Sequence, residues 1–234
     1  MKQYIYTITL FFFSCSLATA QHMGFGVKGG LLVGTQQNKR ALMSYHTDVF
    51  FESMGEWQGE NTPRRLGFVA QLGYHKRGAS YNSGFFGTNR YAVNDIFHNI
   101  SLTALLKGNF KINESFFPYY AAGVRLDATV ANQVINNLDA QGVTPINFGF
   151  WLGAGIDWEP PILPFGLFFE INISPDVTPQ VFFMRGTQVQ YVDPFRGTTS
   201  ARAFTEDYRI INLSIEVTVG VKFILRNEIE PEDL

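Results

Sequence analysis

The chain has 234 residues, of which 46% are hydrophobic and only 16% charged, with 23 phenylalanines, 22 glycines and a formal net charge of −2. Soluble domains usually carry about a quarter of their residues as charges. The absence of any basic block excludes nucleic acid as a partner on charge grounds, and a mean hydropathy near zero shows that the apolar residues are not gathered into one span.

The N-terminus reads MKQYIYTITLFFFSCSLATAQ. Lys2 is a basic start, Tyr4 to Phe13 an apolar run, and Ala18-Thr19-Ala20 a small-residue cleavage site. This is the composition of a secretory signal peptide, so residues 1–20 are expected to be removed on export through the Sec pathway. The run is too short for a spanning helix, which needs about 20 apolar residues. The single cysteine, Cys15, lies inside this segment. The exported part is then held by packing or by a membrane rather than by disulfides.

Eight segments alternate between apolar and polar residues, the period of a strand with two unlike faces. They are 24–35, a weaker one at about 47–54, then 66–75, 99–110, 119–130, 147–158, 166–174 and a last one running from about 208 to 223. Most approach the roughly 9–11 residues with which a tilted strand crosses a bilayer. Tight turns are expected at 58–64, 111–115 and 159–164, and longer loops at about 36–46, 77–96, 131–146 and 175–207. Short and long connections therefore alternate, as in a membrane barrel with both termini on one side.

One face of these strands is aliphatic and aromatic. On the closing stretch it reads Leu213, Ile215, Val217, Val219, Val221 and Phe223, predicted to face lipid. The other face is charged or very small. It carries Lys28, Lys107, Arg125 and Lys222 against Asp127, Asp157, Glu170 and Glu216. Eight strands enclose a lumen only wide enough to be filled by side chains, so these charges are expected to pair and plug it, with Lys28 as the nearest partner for Glu216. Glycines on the same face leave room for Arg125, Trp151 and Lys222. Aromatics near the strand ends predict two interfacial girdles. Phe110, Phe116, Phe117, Trp158, Phe165 and Phe223 form one; Tyr74, Tyr81, Phe97, Phe148 and Tyr208 form the other.

The stretches GVKGGLLVG, QLGYHKRGASY, NISLTALLKGNF, YYAAGVRLDATV, WLGAGIDW and SIEVTVGVKF resemble the PorT-like, or porin-family, outer-membrane β-barrel proteins of Bacteroidota-type bacteria. The resemblance covers nearly all of 21–226. It implies an all-β, eight-stranded antiparallel up-and-down barrel of the OmpA/OmpX shape, followed by a short acidic periplasmic tail at 227–234. It carries no catalytic residues, cofactor or metal onto positions of this chain.

Other chemistry is not indicated. Gly24 to Gly29 fits G-x-G-x-x-G, but no strand precedes it and no helix follows, as a dinucleotide site requires. The histidines are isolated. His98 and Ser101 lie three apart on a strand and point to opposite faces, so no nucleophile and base meet and no enzyme is expected. The expectation is an outer-membrane barrel with a plugged lumen and a structural or adhesive role. Its partners would be outer-membrane lipid or lipopolysaccharide, and a protein or glycan at the external loops. Two alternatives stay open: an accessory subunit of an envelope machine such as type IX secretion, and a soluble calycin-like barrel with an apolar ligand inside.

Overall fold

The computed structural model describes residues 22–36, 39–59, 63–84, 90–134, 137–192 and 197–226. The expected signal peptide, with Ala18 and Ala20, and the expected tail 227–234 lie outside the described residues. Eight long strands form one closed antiparallel sheet: β1 (His22–Gln36), β2 (Arg40–Met54), β3 (Arg64–Gly84), β4 (Arg90–Phe110), β5 (Phe116–Gln133), β6 (Ile146–Trp158), β7 (Phe165–Pro175) and β12 (Asn212–Arg226). The order around the barrel is β1-β12-β7-β6-β5-β4-β3-β2. Closure comes from β12, which pairs with β1 on one side and β7 on the other. The closed sheet leaves no edge of its own to recruit another chain.

A short helix, α1 (Asn137–Gln141), lies between β5 and β6. Among the described residues no helix is long and apolar enough to cross a membrane. Between β7 and β12 come four short strands: β8 (Val181–Phe183), β9 (Gln188–Val192), β10 (Thr199–Ala203) and β11 (Tyr208–Ile210). They pair as β8 with β11 and β9 with β10.

Several expected boundaries are corrected. The second strand begins at Arg40, so the connection expected at 36–46 spans only 37–39. The segment expected as loop 77–96 is mostly strand: β3 and β4 have 21 residues each and pair from Arg64↔Phe110 to Gly84↔Arg90. Long reach at this end therefore comes from long strands as well as long loops. Ladder hydrogen bonds do not require alternation, so the strands run on where the sequence pattern fades. The closing strand starts at Asn212, while Tyr208–Ile210 pairs instead with β8.

The two faces of the barrel differ as their alternation dictates. Outward residues are apolar and exposed, including Val27, Leu72, Leu102, Leu106 and Val219. Inward residues are buried, and many are charged or polar. Two aromatics expected in the girdles face inward instead. Phe97 is 1% exposed and Phe117 6%, because each shares its parity with an inward polar residue, Asp95 and Tyr119 respectively.

Where inward residues are large, facing glycines accommodate them. A Cβ on Gly153 would meet the Trp151 ring at 2.5 Å, and one on Gly220 would meet the Phe168 ring at 2.3 Å. Gly220 and Phe168 are direct cross-strand partners.

Candidate functional site

The interior is built in three layers. At the end with the tight turns, Lys222 Nζ donates to Glu52 at 2.9 Å and to Asp157 at 2.8 Å, and also pairs with Glu159. Lys107 bridges Glu52 at 3.0 Å and Asp157 at 2.8 Å. Arg65 donates to Glu159 at 3.1 Å and lies over the Trp57 and Phe117 rings. Three cations thus meet three carboxylates, all buried.

Next comes an apolar cluster of Phe50, Val69, Leu105, Ala121, Trp151 and Phe168. The cavity among these layers is about 20 Å³, room for a single water. Tyr119 bridges the layers: Lys107 sits 4.1 Å from its ring centre, and its hydroxyl donates to Glu170 at 3.0 Å. Lys28 donates to the same Glu170 at 2.8 Å.

The third layer lies toward the long loops. Arg125 donates to Asp127 at 2.9 Å and also binds Asp176 and Ser174. Arg77 donates to Asp127 at 3.2 Å and Asp176 at 2.9 Å. Glu216 accepts from Asn172 at 3.1 Å and lies 3.6 Å from Arg77 and 3.8 Å from His75. Beside them His46 contacts Asp48 at 2.9 Å and the Thr218 hydroxyl at 3.0 Å. These three have the connectivity of a nucleophile, base and orienting group. All three are buried, so the hydroxyl meets no solvent.

The eight charges singled out in the sequence are therefore all buried and in ion-pair contact. One pairing is corrected: Lys28 meets Glu170, and Glu216 meets Asn172, Arg77 and His75 instead. The lysine stem is directed toward β7, past its neighbour on β12. Sequence reading missed Arg77, Asp176, Glu52, Asp48, Glu159 and Arg65. Asp48 and Glu52 share a strand face with His46, a period-2 signal blurred by the inward Phe50. Arg77 was hidden in a segment read as loop. His98 contacts the Tyr74 hydroxyl through Nδ1, whereas Ser101 is buried inside the barrel.

His22, Glu52 and Glu159 bring ligand atoms within 4.8 Å of one another. Lys222 and Arg65 already occupy those carboxylates, and their charge opposes a metal ion there.

A cap covers the mouth at the loop end. Its core is Phe97, Val181, Phe183, Val189, Phe204 and Ile210, with Val134, Val143 and Tyr208 packed against it. Phe183 and Phe204 stack at 4.7 Å, and Arg202 lies over Phe204. Because Phe97 is an inward residue of β4, this core sits across the opening. Gln180 fastens it to β5 by donating to Thr129 at 2.9 Å. Burial holds the Asp139 carboxyl above its ordinary range, while the backbone N–H of Arg185 holds the exposed Asp207 below it.

No family model matches the chain, and no curated protein matches it. Solved structures do. One is Ail, the attachment invasion locus protein of Yersinia pestis, in complex with the heparin analogue sucrose octasulfate, at 9% identity over 86% of this chain and 98% of that one, with a TM-score of 0.43. Another is the outer membrane protease OmpT from Escherichia coli, at 12% identity over 88% and 98%, TM-score 0.41. A third is the outer membrane enzyme PagL, at 14% identity over 84% and 98%, TM-score 0.39. At these identities the likeness is one of fold alone.

The fold is a closed, eight-stranded antiparallel β-barrel, and the similar solved structures are by name outer-membrane proteins. The narrower PorT-like family has no matching family model here. The expectation that the chain is no enzyme is corrected: the similar solved structures include, by name, an outer membrane protease and an outer membrane enzyme.

Proposed function

We propose that the chain is an integral outer-membrane barrel, exported through the Sec pathway with removal of residues 1–20, with a lumen filled by side chains. The observation that carries this reading is the polarity of the wall, charged inside and apolar outside. On β12, Leu213, Ile215, Val217, Val219, Val221 and Phe223 would meet lipid, and lipopolysaccharide would surround the cap end. A calycin-like barrel with an apolar ligand needs the opposite polarity, because burying ion pairs around such a ligand would leave the charges desolvated. The quoted stretches support a PorT-like assignment within the class.

The role proposed is structural or adhesive, displayed through the cap to a protein or glycan. Ionic layers on either side of an apolar layer leave no continuous aqueous path, so ion conduction is not the role. Planar-bilayer recording tests this: the purified protein should show no large stable openings, and such openings would overturn the filled lumen. Fractionation of envelopes with heat-modifiability on gels tests the membrane reading, which fails if the protein partitions into the aqueous phase without detergent.

A second reading is favoured by the exposed Val177, Met184 and Ile211 on and beside the cap, which suit a protein partner. In that case the barrel is an accessory subunit of an envelope machine, such as a type IX secretion component. Stoichiometric co-purification from mild detergent would support it, and a clean monomer would argue against it.

A further inference from the structure

We propose that His75 is a proton-binding site that controls how firmly the barrel interior holds the foot of the cap. Its two ring nitrogens face two different carboxylates. Nε2 lies 3.8 Å from Asp127 Oδ1 on β5, and Nδ1 lies 3.8 Å from Glu216 Oε1 on β12. All four of these atoms are buried and, among the described residues, lack a hydrogen-bond partner. A neutral imidazole has one N–H and one lone pair. Whichever tautomer it adopts, one carboxylate oxygen then faces a lone pair. Only the imidazolium donates in both directions, and a small contraction of each gap makes two charge-assisted hydrogen bonds.

Burying a charged ring is costly, and the charges around it set how much of that cost is offset. The layer nearest the tight turns is balanced, with Arg65, Lys107 and Lys222 against Glu52, Asp157 and Glu159. Lys28 is paired with Glu170, and Asp48 on β2 is engaged by His46, which has both ring nitrogens in contact. The outermost layer has Arg77 and Arg125 against Asp127, Asp176 and Glu216. Among the described residues that layer is one cation short, and protonated His75 supplies it. Buried carboxylates without a full set of counter-charges are costly. Burial of the ring and the two arginines oppose the proton, as would any charge on His46, whose ring lies 6.2 Å away; Asp127, Glu216 and Asp48 favour it.

The consequence reaches the cap through Asp176. This residue opens the segment from β7 to the cap. Its carboxylate takes Arg77 and Arg125 on one oxygen and Asn212 on the other, at 3.2 Å. Asn212 also binds Gln180 at 3.2 Å. With His75 protonated, Asp127 and Glu216 are compensated and Arg77 stays on Asp176. When the proton leaves, those carboxylates compete for Arg77, and the foot of the cap loosens.

The test needs no ligand. Ring NMR signals of His75 in the detergent-folded chain, assigned by their loss in His75→Gln, report its protonation between about pH 5 and 8.5, the span in which histidines commonly titrate. Amide exchange of 177–192, corrected for intrinsic pH dependence, reports the cap. The expected result is a doubly protonated ring at the acid end. As it deprotonates, exchange should rise by up to about tenfold per pH unit, the slope that release of one proton allows. His75→Gln should exchange fast throughout, without that step. A ring that stays neutral across the range overturns the proposal, and so does an identical exchange step in His75→Gln. The ring titration is read on the unmodified chain, so it decides even if the variant misfolds. It also decides independently of conductance or partner binding.

Discussion

Lys28 on β1 and Glu170 on β7 meet at 2.8 Å inside the barrel, although β12 lies between their strands. Both are buried, and Glu170 also accepts from Tyr119. Removing one member strands a buried charge. Lys28→Met alone should therefore cost about 3–5 kcal/mol, and Glu170→Gln a similar amount, whereas the double variant should recover most of the loss. Gln is chosen because its carbonyl still accepts from Tyr119. Denaturant unfolding of the detergent-folded chain measures the cycle. Additive losses would show that the two charges do not depend on each other.

Val217 stands near mid-height on β12, between Leu31 of β1 and Ile171 of β7, and it is 41% exposed. If its neighbourhood is lipid, Val217→Arg should cost about 2–4 kcal/mol. Folding into lipid vesicles under a urea gradient measures this. A change within about 0.5 kcal/mol, usual for a substitution on a water-facing surface, would contradict a lipid-facing β12.

Gly220 lies opposite Phe168, whose ring covers the site where a Cβ would be. Gly220→Val should destabilise the barrel by about 1–3 kcal/mol through overpacking. Phe168→Ala should remove that strain, so the pair should be less harmful together than the sum of the singles. The heat-induced mobility shift on gels, followed against temperature, gives the comparison. Strict additivity would mean that the ring turns away freely.

The barrel was legible because alternation over eight segments is a direct print of two faces, one apolar and one polar. Lys28, Lys107 and Lys222 stand out as lone charges among glycines and small polar residues on that print. The pattern fails where both faces of a strand are mixed. On β2 the inward Phe50 and outward Thr47 blur the period, and with it His46, Asp48 and Glu52 were lost. On β3 the pairing with β4 continues to Gly84 whatever the side chains, so Arg77 lies on a strand where the side-chain pattern reads as loop. Partner choice was not legible at all. Lysine and arginine stems reach past the adjacent strand, and which carboxylate they meet depends on the barrel's curvature rather than on sequence spacing. The cap was equally opaque, since short strands of three to five residues carry too few periods to read.

Asp139 makes the cap's stability depend on pH. Burial raises its carboxyl above the ordinary value of 3.8, with Asp95 nearby adding to the shift and Lys39 and a hydrogen bond from Tyr208 opposing it. A raised folded-state value means that the folded cap holds this proton more tightly than the unfolded chain does. The associated stability is full below 3.8 and is lost as the pH rises through the raised value. Asp139→Asn keeps a neutral polar group there at every pH. At about pH 7 the variant's cap should therefore resist proteolysis better than the wild type, and the gap should close toward about pH 4 as the wild-type carboxyl takes up its proton. Both chains keep His75, so its titration cancels in the comparison. Exposed Asp207, held down by the Arg185 N–H, has the opposite sign and cancels too. Limited proteolysis at matched protease activity, read at cap sites between 177 and 210, supplies the measurement. A gap that widens as the pH falls would mean that the contact with Lys39, 3.9 Å away, outweighs the cost of burying the charge.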